Sequence, residues 1–225
     1  MRPATPSRTP GKCDFLVLRK RPYAETSLLL SGISPERGKI DFIARGALRH
    51  GRRQSTPIDL FRHFRVQYSA SASGLHTWRE ADPISDFSPL ARSTEAFRTA
   101  CWLARFALDN SSPDNPCPAF FQALLNSFSR LRELGIKRSR PGATELTGQR
   151  AAATVGALLI FLEENGLLPE KNDPAAIRNS ALIMESASQP NRLPELTPES
   201  WRQAFRQTVA CLRQGHCTIP RSQPD

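Results

Sequence analysis

From Asp14 to about Asp82 the apolar residues fall in short runs of strand length. Asp14–Lys20, Thr26–Ile33, Lys39–Ala44, Asp59–Tyr68 and Leu75–Ala81 are rich in β-branched or aromatic residues, and turn residues bound them at Arg21-Pro22, Ser34–Gly38 and Ser71–Gly74. In the fourth run Phe64, Val66 and Tyr68 alternate with Arg65 and Gln67, the period of a strand with one buried face. Five strands in about 70 residues predict a small barrel or a tightly curled sheet.

Beyond Pro89 the period lengthens to that of a helix. Phe97, Cys101, Ala104 and Leu108 fall on one face, and Phe121, Leu124, Leu125, Phe128 and Leu131 on another, with Gly135 placed as a C-terminal cap. Further helices are predicted over Gln149–Asn165, ending at Gly166, and over Pro174–Ser186. The last opens with Thr197 as N-cap and Pro198 at its first position and buries Trp201, Phe205, Val209 and Leu212. The expected organisation is a tail over residues 1–12, a β domain over 13–82 and an α-helical bundle over 83–225. The longest apolar run, Val155–Leu162, is too short to span a bilayer, and the N-terminus lacks the apolar stretch of a secretory signal, so a cytoplasmic location is expected.

Charge separates the two halves. Residues 1–80 carry 15 Lys+Arg against 6 Asp+Glu, whereas residues 81–225 carry 16 against 15, within a total of +10. A genome rich in GC would favour Arg over Lys, here 26 to 5, but it would not make acidic residues scarce in one third of the chain. A one-sided field of this kind concentrates polyanions, of which nucleic acid is the commonest.

Signatures of catalysis are missing from the sequence. It has no GxxxxGK[ST] loop, no HExxH, no GxSxG and no Gly-rich dinucleotide turn. Glu163-Glu164, the one carboxylate pair, reads as a solvated helix face, and no enzymatic activity or cofactor is expected. The five cysteines form no CxxC pair, and the cluster Cys211, His216 and Cys217 reads as a helix end rather than a metal site.

The chemistry lies in basic residues among aromatics. Ala44–Arg53 follows a strand and sets Arg45, Arg49, Arg52 and Arg53 on a loop with two glycines, able to follow a phosphate backbone. Arg19, Lys20 and Arg21 end the first strand, Lys39 begins the third, and Arg62 and Arg65 lie on the fourth. Tyr23 and Trp78 are the rings proposed for stacking on bases.

Leu18–Leu30 with its Arg-Pro-Tyr-Ala-Glu turn, Ser34–Lys39 with its Gly turn, and Ala44-Arg-Gly-Ala-Leu-Arg49 resemble in order and spacing the start of the RecO family of bacterial recombination mediators. Leu75–Ala81, Asn165–Pro169, Gly215 and Ile219–Ser222 agree more loosely. The resemblance implies an N-terminal five-stranded OB-fold barrel, a C-terminal α-helical domain and hence an α+β, two-domain protein. It also implies binding of single- and double-stranded DNA, strand annealing and loading of RecA. The implied partners are RecR, the acidic C-terminal tail of single-stranded-DNA-binding protein and RecF, with RecA engaged indirectly at the nucleoid. Arg130 and Arg132, which follow the apolar face of the second helix, are the candidate rim for that tail. An RNA-binding OB-fold protein of translation or ribosome assembly is the alternative. Many RecO proteins carry four zinc-binding cysteines, the first pair shortly after the Leu-Pro; Glu170–Pro174 stands there in this chain, and zinc is expected to be absent.

Overall fold

The computed structural model describes residues 10–48, 57–136, 143–168, 174–189 and 193–221. They form two units: β1–β5 up to Asp86 together with Ser111–Pro116, and the helices with the chain that joins them.

The strands are β1 (Pro10–Tyr23), β2 (Ser27–Ser34), β3 (Gly38–Ala44), β4 (Arg62–Ser69) and β5 (Leu75–Asp86). They close into a barrel in the order β1-β2-β3-β5-β4, antiparallel except for the β3–β5 pair. This is the five-stranded OB arrangement expected. Alternation places one side of every strand inward: Phe15 and Val17, Leu28 and Leu30, Ile40 and Phe42, Phe64, Val66 and Tyr68 form the core. Burying each large side chain contributes about 1.5–3 kcal/mol, which holds so small a barrel closed. Arg65 and Gln67 face solvent as the alternation requires.

Two boundaries differ from the sequence reading. Pro10, Gly11 and Lys12, assigned to the tail, already pair with Ser69, Tyr68 and Gln67. The rest of that tail, residues 1–9, lies outside the described residues. At the other end β5 continues past Asp82 to Asp86, because Pro83 sits where the β4 register slips between His63 and Phe64 and a ladder donor is not required there.

The second unit holds a short 3₁₀ turn (Ser88–Arg92) and five helices: α1 (Thr94–Asn110), α2 (Pro118–Ile136), α3 (Ala143–Glu164), α4 (Pro174–Ser188) and α5 (Pro198–Gln214). Thr197 caps α5, its side-chain oxygen accepting from the Ser200 N–H at 3.1 Å. Three expectations are corrected. The buried face of α1 runs through Ala96, Ala100, Leu103 and Ala107, which leaves Phe97 37% exposed and Cys101 outside, because small side chains let neighbouring helices approach. Gly135 is not a cap: α2 runs through it, and a Cβ there would lie 2.0 Å from the Pro89 carbonyl. Glu164 is not a solvated carboxylate, since its two oxygens accept from the Ala119 and Phe120 N–H groups, each at 2.9 Å, and so cap the start of α2. No helix among the described residues is long and apolar enough to cross a membrane.

Candidate nucleic-acid interface

A bulge decides where the basic end of β1 points. Cys13, Phe15 and Val17 face inward, and unbroken alternation would send Arg19 and Arg21 inward as well. Between Val17 and Arg19 the register with β2 slips, so that Lys20 comes opposite the core residue Leu30 while Arg19 and Arg21 come opposite Ser31 and Leu29 on the outer face. The outward positions of β3 are Lys39, Asp41 and Ile43, with Arg45 just beyond its end.

These outer faces of β2 and β3 form the floor of a groove of about 1130 Å³, lined by Arg19, Arg21, Arg37, Lys39 and Asp41, with Pro113 and Asp114 at one side. Its other wall is the β4–β5 loop, Ala70–Gly74, whose side chains are small, with Leu75 and His76 at the start of β5. His76 fixes that wall from below. It is 9% exposed, its ring lies 5.2 Å from Tyr68 and 6.1 Å from Phe42, and its Nδ1 accepts from the Ser71 N–H at 3.0 Å. Burial pushes its pKa down, and Arg37 adds to that, which favours the neutral ring the hydrogen bond needs. A second hollow of about 560 Å³ shares Ser71, Ser73 and Leu75 with the first and continues to Tyr23, Thr26, Arg45 and Thr77. Tyr23 is 51% exposed. The two hollows make a continuous path with cations at one end and an open aromatic ring beside an arginine at the other. Such a path offers cations that can neutralise phosphates and a ring face for a base.

Residues 10–87 match the family model described as recombination protein O N terminal, a span that contains the whole barrel and its groove. The barrel thus matches the N-terminal domain of the RecO family. It is 29% identical over 124 residues to the DNA repair protein RecO of Bacillus velezensis, covering 54% of this chain and 48% of that protein. With the RecO of Heliobacterium modesticaldum it shares 32% over 121 residues, 53% of this chain and 43% of the other. With that of Aliivibrio salmonicida it shares 27% over 212 residues, 88% and 87%. The chain thus spans about half the length of the Bacillus and Heliobacterium RecO proteins and most of the Aliivibrio one.

Within this barrel the sequence-predicted residues divide. Arg19, Arg21 and Lys39 line the main groove, and Arg45 and Tyr23 line the second. Three other cations are tied elsewhere, and none of them lines either hollow. Lys20 pairs with Asp59 at 2.7 Å, Arg62 pairs with Asp86 at 2.9 Å and donates to the Pro57 carbonyl, and Arg65 grips both oxygens of Asp14 at 2.8 and 3.2 Å. The Asp59 carboxyl is held below its usual range by the hydrogen bonds from Lys20 and Leu60, which outweigh its partial burial. Trp78, proposed for stacking, lies among Phe15, Phe42 and Phe64 at centroid distances of 6.0, 5.7 and 5.6 Å, so its ring is engaged by the core. Arg49, Arg52 and Arg53 lie outside the described residues. The sequence reading missed Arg37 and Asp114, which the fold brings together from positions far apart in the chain.

In the helical unit the proposed rim is corrected. Arg130 is 4% exposed, and its guanidinium donates to Gln149 Oε1 at 2.9 Å and to the carbonyls of Ser186 and Gln189 at 3.2 and 3.3 Å. Burial lowers its pKa to about 10, still far above neutrality, so it is a charged interior strut between α2 and the end of α4. Arg132 is half-buried, packs over the Phe87 ring at 6.0 Å and pairs with Glu133. Among the described residues no three His, Cys, Asp or Glu side chains are gathered to hold a metal ion. Cys217 and His216 belong to the turn that ends α5, whose N–H groups return to the Leu212 and Arg213 carbonyls. Burial pushes the Cys13 and Cys117 thiols up to about 12, which keeps both protonated and unreactive at neutral pH.

Proposed function

We propose that this protein acts in DNA repair and homologous recombination by binding single-stranded DNA along the β2–β3 groove and annealing complementary strands, without catalytic turnover. The observation that supports it most directly is the alignment of Arg19, Arg21, Arg37 and Lys39 along one outer face of a barrel that matches the RecO N-terminal family. Cations on a strand surface meet a phosphate backbone at regular spacing, while the small side chains of Ala70–Gly74 let the chain approach closely. Family resemblance adds double-stranded DNA binding, RecR, the tail of single-stranded-DNA-binding protein and the loading of RecA to this proposal, acting in the cytoplasm at the nucleoid. Arg130, being interior, takes no part in holding that tail.

The test is annealing of complementary oligonucleotides coated with single-stranded-DNA-binding protein, with and without the full chain. Acceleration is expected, together with DNA affinity that falls with salt at a log–log slope of roughly −3 to −4, the value for four to six neutralised phosphates on a single strand. Equal annealing of RNA strands with no preference for DNA would favour the translational reading, and a slope near zero would remove the electrostatic basis of the groove.

A further inference from the structure

The groove cation Arg37 has a carboxylate partner, and that partner is supplied by the segment Ser111–Pro116. Arg37 Nη2 lies 2.6 Å from Asp114 Oδ1, with the two side chains 43% and 71% exposed. The backbone fixes the carboxylate independently of the ion pair. Asp114 N–H donates to the Arg37 carbonyl at 2.9 Å, Lys39 N–H donates to the Ser112 carbonyl at 3.1 Å, and Gly38 bridges to Pro113. Gly38 makes this approach possible, since at φ +62° an added Cβ would stand 2.3 and 2.4 Å from the carbonyls of Asn115 and Ser112. Asp114 itself sits at φ +56°, a conformation that Asp and Asn tolerate better than most residues.

We propose that the Arg37–Asp114 pair is a masked phosphate site: the carboxylate stands in for a backbone phosphate while the groove is empty, and Arg37 turns from it to the phosphate when a nucleic-acid strand enters. This rests on the groove reading above. Three observations carry it. Carboxylate and phosphate compete for the same guanidinium fork, and a pair this exposed is held only weakly, so exchange costs little. The present pose leaves the Nε–H of Arg37 shielded from water with no acceptor among the described residues, a donor that a phosphate gripped by both Nε and Nη2 would satisfy. The carboxylate stays in place when Arg37 leaves, because the backbone holds it, and it then repels the bound strand. Asp114 therefore limits affinity and keeps strands exchangeable, as an annealing protein requires.

The experiment is a double-mutant cycle of Arg37→Ala and Asp114→Asn in the full chain, read by fluorescence anisotropy of a labelled oligothymidylate across a salt series. Asn keeps the left-handed backbone, and Asp114→Gly, equally tolerant there, removes the carboxylate by a second route. Asp114→Asn is expected to bind several-fold more tightly, with a salt slope close to that of the wild type, since Arg37 meets the same phosphate in both. Arg37→Ala is expected to bind more weakly, and adding Asp114→Asn to it should bring a clearly smaller gain, the relief of repulsion alone. An equal gain in both backgrounds would mean that Asp114 acts only through the general field and would overturn the exchange. Unchanged affinity in both Asp114 variants, with the wild type binding, would overturn this inference alone, whereas a wild type that does not bind would overturn the groove reading and the inference with it.

Discussion

The barrel and the helical unit use arginine in opposite ways. On the outer face of β2 and β3, Arg19, Arg21 and Arg45 have no carboxylate partner among the described residues, and Arg37 shares its partner with water. In the helices several arginines are instead taken up by the protein itself. Arg130 is interior, Arg150 reaches Glu95 and Thr99, Arg105 pairs with Asp109, and Arg202 and Arg206 share Glu199. The contrast teaches that counting charge finds the right half of the chain but not the interface. A ligand-binding cation is one the fold has left without a better partner, and within the barrel the same test separates Arg19 and Arg21 from Arg62 and Arg65.

The largest effect should come from testing that contrast directly. Replacing Arg19, Arg21 and Lys39 with Ala should weaken single-stranded DNA binding roughly tenfold or more and flatten the salt slope by about 2, three phosphates at about 0.7 each. Replacing Arg105, Arg202 and Arg206 removes the same formal charge and should change affinity little, because those guanidiniums already answer carboxylates. Equal losses from the two triple variants, in anisotropy titrations at matched salt, would mean that net charge alone governs binding.

What the sequence made legible follows from periodicity. Five strands, the inward side of Phe64, Val66 and Tyr68, and the Thr197 cap could be read because each rests on neighbours within a few residues. The bulge after Val17 could not, since nothing local marks it, although it decides which way Arg19 and Arg21 face. Nor could Asp114, which meets Arg37 through contacts between residues about 75 positions apart. Arg130 was misread for a different reason. An arginine at the edge of an apolar helix face looks the same in sequence whether it snorkels to water or turns inward to carbonyls, and only the chain ends it meets decide.

Arg130 gives the second prediction. Arg130→Met keeps the bulk but abandons Gln149 Oε1 and the Ser186 and Gln189 carbonyls in a buried place, which should destabilise the helical unit by about 2–4 kcal/mol in denaturant titrations. DNA affinity of the folded fraction should stay as in the wild type. Lost affinity for a ligand with unchanged stability would return Arg130 to the surface role that its burial argues against.

The smallest effect concerns protons, and it should again fall on one unit only. His63 and His76 are both buried in the barrel, and burial pushes both pKa values down, against the raising pull of Asp14 on His63 and of Asp114 and Asp41 on His76. The folded barrel therefore prefers neutral imidazoles more than the unfolded chain does. The resulting stability is fully present above the unfolded value near 6.5 and is lost as pH falls below it towards the lowered folded values, by up to about 1.4 kcal/mol per pH unit for each ring. In that window carboxylates remain ionised, so they add no comparable slope. Protonation of His76 at Nδ1 would also remove the acceptor of the Ser71 N–H and loosen the loop that walls the groove. Hydrogen exchange at pH 7 and at about pH 5.5, corrected for intrinsic rates, should show protection falling in β4, β5 and residues 70–76 while α2 and α3 hold theirs. A uniform fall across both units would show that the two histidines are not what makes the barrel sensitive to acid.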